Sequence, residues 1–168
     1  MGLLNKSGYL FFDGNNRCWI NPGKPVVRDY LCGILVELAD MGFEEILLTD
    51  VSYPTAGKLE VIRYGDVPKE QNLLDFLLEV NTALEPYDVT LSIEVPEAVL
   101  TTGRDEAAGL VLTDLITQVD RIYAATTAEQ AEALEECVSA VSETVEFIPI
   151  LSEVTEENDR YLLVSPVA

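Results

Sequence analysis

Short apolar runs alternate along this chain with longer stretches in which apolar residues recur every three or four positions. The first pattern belongs to buried strands and the second to amphipathic helices. Strands that alternate with helices pair in parallel, because each helix carries the chain back to the same end of the sheet. Two α/β architectures satisfy that rule, an open doubly wound sheet or a segment of a (β/α) barrel. No glycine-rich phosphate fingerprint follows any of the runs, which counts against the nucleotide-binding version of the open sheet.

The spacing predicts a first helix from Pro25 to Met41, with Val27, Leu31, Ile34, Leu38 and Met41 on one face and Gly42 as its stop. A second runs from Glu70 to Leu84, with Leu73, Leu77, Val80 and Leu84 inward and Pro86 closing it. A third is expected over Ala107 to Val119, on Ala108, Leu112, Leu115 and Val119. The fourth starts at Thr127, with Gln130 as the partner of a capping box, and reaches about Ser142, with Ala131, Leu134, Val138 and Val141 inward. Between and after them, strands are expected at Glu45–Thr49, Val89–Val95, Asp120–Ala124, Glu146–Leu151 and Tyr161–Ser165. Residues 1–24 read as an N-terminal hairpin or loop region, with Gly8–Phe12 as a strand and Asp13-Gly14-Asn15 as its turn. Residues 1–168 then make a single barrel-like domain.

At 168 residues the chain is shorter than a complete eight-fold barrel, which usually takes about 250. The expectation is a partial barrel, or a piece of a longer protein. The outer strands of a partial sheet have unpaired edges, which an N-terminal segment, a missing barrel half or a second copy is expected to cover. Acidic residues outnumber basic ones 30 to 10, for a net charge of −20. Such a surface repels phosphate backbones, so nucleic acid is a poor partner. No apolar run is long enough to span a bilayer, and no charged-then-apolar leader opens the chain; a cytoplasmic and an exported protein both fit. Cys18, Cys32 and Cys137 lie far apart and odd in number, which is no disulfide framework. Histidine is absent, so a cysteine has no imidazole to activate it, and acid–base chemistry falls to Asp, Glu, Tyr or Lys.

In parallel α/β folds, function gathers at the C-terminal ends of the strands. Those ends carry Thr49-Asp50, Glu94, Tyr123 and Glu153. Two carboxylates on one rim suit sugar hydrolysis, in which one protonates the leaving oxygen and the other attacks the anomeric carbon or activates water. Asp50 and Glu94 are the candidate catalytic pair. Trp19 and Tyr53 can stack on a sugar face, although Trp19 can equally pack under the Asn21-Pro22 turn. The segment Thr55–Pro68 carries Arg63 and Tyr64 and suits either a lid over the site or a hairpin bracing the rim. Arg121, early in its strand, reads as an internal ion-pair partner.

Four pieces of sequence resemble one signature. They are Trp19-Ile20-Asn21-Pro22, Val27-Arg28-Asp29-Tyr30-Leu31, Met41-Gly42-Phe43-Glu44-Glu45-Ile46 and Ser52-Tyr53-Pro54. The signature is similar to that of a bacterial glycoside hydrolase domain family in the TIM-barrel glycosidase clan. The resemblance implies that the chain is roughly the C-terminal half of a TIM-type barrel, and that its partner is a poly- or oligosaccharide. It also implies a departure: the family's strand-end acid aligns with Thr49, and Asp50 stands one place later. Thr49 can hydrogen-bond a sugar hydroxyl but cannot act as a carboxylate.

Three readings follow. The first is a glycosidase using Glu94 and Asp50, with carboxyl groups about 5 to 9.5 Å apart. The second is a carbohydrate-binding or scaffold barrel domain that has lost the acid at Thr49. The third is a metal-assisted hydrolase with Asp50, Glu94 and Glu153 as oxygen ligands. No cofactor is expected and no metal site is assigned.

Overall fold

The computed structural model describes residues 1–155 and 160–164. The N-terminal region folds back on itself twice before the first helix. Bridges join Gly2 to Ile20, Leu4 to Leu10 and Phe12 to Cys18, so Asp13–Arg17 is the tip of a hairpin. Strand β1 (Leu4–Asn5) leads to helix α1 (Pro25–Asp40) and strand β2 (Glu45–Leu48). There follow β3 (Ile62–Arg63), α2 (Lys69–Leu84), β4 (Thr90–Glu94) and α3 (Glu97–Thr102). The chain continues through β5 (Arg104–Asp105), β6 (Leu110–Val111), α4 (Leu112–Leu115) and β7 (Arg121–Ala125). It ends with α5 (Ala128–Ser139), β8 (Glu146–Leu151) and β9 (Leu162–Leu163). The expected last strand ran to Ser165, which lies outside the described residues.

One five-stranded sheet dominates, in the order β2-β4-β7-β8-β9, and every pair in it is parallel. The spatial order is the chain order. Each new strand is added beside the last and the direction never reverses, whereas a doubly wound sheet turns back at a switch point. This progression decides between the two architectures left open by the sequence: the fold is a five-stranded half-barrel sheet alternating with helices, a partial TIM-like barrel.

Because side chains alternate across a strand, the sheet has two unlike faces. Ile46, Leu91, Ile93, Ile122, Ala124 and Phe147 join the helices in the hydrophobic core, where Leu77, Val80 and Val99 are fully buried. Burying each such Leu, Ile or Val contributes about 1.5–3 kcal/mol. The other face carries Glu45, Ser92, Glu94, Arg121, Tyr123 and Glu146, and it corresponds to the inside of the barrel.

Four expectations are corrected. No single helix spans Ala107–Val119. Helix α3 stops at Gly103, whose φ of +80° is left-handed, and β5 then pairs antiparallel with β6 across a turn at Gly109, φ +76°. Asp105 holds that turn by accepting the Ala108 N–H at 3.0 Å. Ala108, Leu112, Leu115 and Val119 are all buried, so the burial pattern is right although a hairpin and one helical turn produce it. Ile34 on α1 and Met41 just past its end are exposed, not inward, and with Val26 and Tyr30 they leave an apolar stripe uncovered. Val141 lies beyond the end of α5 and is exposed as well. At the start of that helix, the Thr127 hydroxyl bonds the Gln130 side chain at 3.1 Å and does not cap the backbone.

The N-terminal segment adds no strand to the outer edge of β2. Its strand β1 pairs with β3 instead, and among the described residues no strand lies beyond β2. The Thr55–Pro68 segment is thus the brace, not the lid: it holds the N-terminal hairpin through the Leu4–Arg63 and Asn5–Ile62 pairs.

Candidate active site

The rim is shaped by the way β2 ends. Past Leu48 the regular pleat stops, and Asp50 takes a φ of +55°, a left-handed turn that a short polar side chain tolerates. Asp50 therefore lies outside the strict alternation of the strand, and the Thr49–Ser52 segment borders two spaces. Thr49, Asp50 and Ser52 line the same cleft as Glu94, Pro96 and Glu97, a space of about 370 Å³ at the C-terminal ends of β2 and β4. Glu94 ends β4 opposite Tyr123 in the register, and the next residue, Val95, donates its N–H to the Tyr123 carbonyl at 2.9 Å.

The loop that carries Asp50 is anchored from behind. Tyr53 is fully buried, its backbone N–H bonds the Ala108 carbonyl at 2.8 Å, and its hydroxyl accepts from Asn72 Nδ2 at 3.0 Å. Tyr64 packs edge-on against it with ring centroids 5.6 Å apart, and Lys69 Nζ lies 5.1 Å from the centre of the Tyr64 ring. Burial raises the hydroxyl pKa of both tyrosines. Tyr53 and Tyr64 thus form an internal support beneath the rim, and Tyr53 offers no face to a sugar. Arg63 is exposed on β3 and is not among the residues of the cleft.

Trp19 lines a neighbouring, more apolar hollow of about 180 Å³ with Pro22, Leu31, Leu48, Leu73 and Phe76, on the other side of the Thr49–Ser52 segment. Its indole N–H donates to Asp13 Oδ2 at 3.1 Å, and the Arg17 guanidinium lies 5.7 Å from its ring centre. The buried Asp13 carboxylate also accepts the N–H groups of Asn15 and Arg17 at 2.8 and 2.9 Å. The Arg17 backbone N–H, with help from Trp19 and Asn15, outweighs burial and lowers the Asp13 pKa from 3.8 to about 2. A carboxyl whose folded pKa lies below its unfolded one stabilises the fold above the unfolded value, and that contribution is lost as pH falls through the folded one. The native protein is therefore expected to lose an advantage over Asp13→Asn as pH drops from 3.8 toward 2. Unfolding midpoints measured for both proteins across that range check this; a gap independent of pH would contradict it.

A polar layer not expected from the sequence occupies the opposite, N-terminal end of the inner face. Glu45 accepts from the Ser92 hydroxyl at 2.6 Å, the Tyr123 hydroxyl at 2.8 Å and Arg121 at 2.7 Å. Arg121 also reaches Glu146 at 2.8 Å, and Glu146 pairs with Arg160 at 3.0 Å. Burial pushes the Glu45 carboxyl up, but the bonds from Ser92, Tyr123 and Arg121 prevail and lower its pKa. Glu146, bonded by Arg121 and Arg160, is lowered too, and Arg121 is raised chiefly by Glu146. The Arg121 expectation of an internal ion pair agrees with this, whereas the Tyr123 hydroxyl is engaged by Glu45 and points to the layer, not the rim. A signal for the layer was present: β2, β7 and β8 each open on a charged residue, Glu45, Arg121 and Glu146.

Glu153 lies in a separate hollow beyond β8. Among the described residues no three Cys, Asp or Glu side chains converge as a metal-holding group, so Asp50, Glu94 and Glu153 do not form one.

Two solved structures share this fold. A chitinase from Chromobacterium violaceum ATCC 12472 aligns with a TM-score of 0.54 and 17% identity, over 83% of this chain and 46% of its own. Aspergillus fumigatus Ega3, solved in complex with galactosamine, aligns with a TM-score of 0.51 and 10% identity, over 84% of this chain and 49% of its own. The chain thus spans about half the length of each. No curated protein matches it in sequence. A family model described as "Putative glycosyl hydrolase domain" matches residues 1–127, three quarters of the sequence, and the chain belongs to that family.

Proposed function

We propose that this domain acts on carbohydrate, cleaving a glycosidic bond with Glu94 as general acid and Asp50 as the second carboxylate. The observation that carries the reading is that both residues line one cleft at the strand C-termini of a glycosyl hydrolase family domain. A carboxylic acid protonates the departing oxygen, and a carboxylate on the other side attacks the sugar or activates water. Thr49 and Ser52 supply hydroxyls that both donate and accept, which suits sugar recognition. Trp19, Arg63, Tyr64 and Tyr123 lie outside the residues that line the cleft.

The charge of the cleft restricts its substrate. Asp50, Glu94 and Glu97 line it and no Lys or Arg does. On the inner face Arg121 is already held between Glu45 and Glu146. Neutral or amino-bearing glycans are expected to turn over at least about tenfold faster than polyuronates, because like charge is repelled from a low-dielectric cleft. Reducing-end release measured on neutral, amino and uronate polymers is the test. A polyuronate as best substrate would overturn the assignment.

Thr49 favours a second reading. It follows Glu45 and Leu47 at two-residue spacing, the inner-face register, where the family pattern has its acid. If that acid is indispensable, the native domain binds sugar without cleaving it, and Thr49→Asp is expected to create turnover. Equal turnover before and after Thr49→Asp would rule out this second reading.

A further inference from the structure

We propose that the cleft continues across the end of β7 into a second subsite, so that the domain binds an oligosaccharide of several units and not a single terminal sugar. The inference rests on the carbohydrate reading above and extends it along the rim. Ala125 lines the cleft that holds Glu94 and Asp50. The next residue, Thr126, lines a second hollow of about 490 Å³, with Thr127, Glu129, Leu151, Ser152 and Glu153. Strands β7 and β8 are hydrogen-bonded neighbours in the parallel sheet, so both spaces open at the same end, side by side. Each has the size of a small-ligand pocket, about 300–1,000 Å³.

The second hollow has the chemistry of a sugar site. Thr126, Thr127 and Ser152 bring hydroxyls that give and take hydrogen bonds, and Glu129 and Glu153 are acceptors for sugar hydroxyls. Leu151 and the exposed Val154 give it an apolar side, which suits the C–H face of a sugar ring. A separate observation points to a ligand. Thr126 Oγ1 is buried and, among the described residues, is the one buried side-chain oxygen or nitrogen with no hydrogen-bond partner. Buried polar groups are normally paired, and an orphan one calls for an explanation. Rotation about the Thr126 Cα–Cβ bond is the step that offers this hydroxyl to a sugar in the hollow that the residue lines. The start of α5 opens here too, with no side chain capping its first turn.

The experiment is titration calorimetry of the native protein, Thr126→Val and Thr126→Ser. The probes are N-acetylglucosamine oligomers of one to six units and their deacetylated forms. Circular dichroism confirms that each variant is folded. Native affinity is expected to rise at least about tenfold between one unit and three or four, as the second subsite fills. Thr126→Val, which keeps the shape and removes the hydroxyl, should flatten that rise, and Thr126→Ser should preserve it. Affinity that does not depend on length, or the same length dependence in native and Thr126→Val, overturns the second subsite while leaving the carbohydrate reading standing. Failure of every oligomer to bind overturns both.

Discussion

Glu94→Gln is expected to lower turnover on the order of 10²–10⁴-fold while leaving the fold intact, because it removes one proton-transferring group and keeps the side chain's shape. Glu94 ends the second strand of the sheet, with its backbone held in the ladder opposite Tyr123, so an isosteric amide disturbs no core contact. The rate constant on the best neutral or amino glycan should collapse while the thermal midpoint hardly moves. The Michaelis constant should change far less than the rate, since an amide still hydrogen-bonds a sugar oxygen. Full activity in Glu94→Gln would remove Glu94 from the mechanism. An inactive native protein whose sugar affinity falls in Glu94→Gln would place Glu94 in a binding site, as the second reading has it.

The largest stability effect is expected at Tyr53. Truncating a fully buried aromatic ring to alanine costs about 3–5 kcal/mol, a large part of the total for a domain of this size. The loss leaves Tyr64 without its edge-on neighbour and Asn72 with only a 3.4 Å contact to the Val67 carbonyl. Tyr53→Phe keeps the ring and removes one buried hydrogen bond, for about 1 kcal/mol. Denaturant unfolding should show both as shifts in midpoint at a constant slope. Sugar affinity per folded molecule should survive in Tyr53→Phe. An unshifted midpoint in Tyr53→Ala together with lost sugar binding would return Tyr53 to the role of a stacking platform that its position after the strand suggested.

Tyr53 also shows where reasoning from sequence reaches its end. Its place in the Ser52-Tyr53-Pro54 motif marks it as important but is silent on whether it faces the ligand or the core. That choice depends on Asn72 and Tyr64, which meet Tyr53 only once α2 and β3 have packed. The same holds for the segment between Gly103 and Leu115. A spacing of three and four residues among buried positions suits a helix, yet two left-handed glycines and the carboxylate of Asp105 bend it into a hairpin. Asp50 is a third case. Alternation along β2 would have sent it away from Glu94, but the strand ends at Leu48, Asp50 takes a φ of +55°, and it borders both the Glu94 cleft and the Trp19 hollow.

What the sequence determined by itself is whatever depends on local periodicity: the α/β class, the parallel pairing, the sheet's apolar face and the strand ends where chemistry collects. Period two and period 3.6 are written into neighbouring residues, so they can be read without coordinates. The residues that meet across the fold were decided only by the tertiary structure. Glu45 and Arg121 lie 76 positions apart and touch because β2 and β7 flank β4 in one register. The adjacency of the Glu94 cleft and the Thr126 hollow has the same origin, since a parallel sheet brings successive strand ends to one rim whatever the distance between them along the chain.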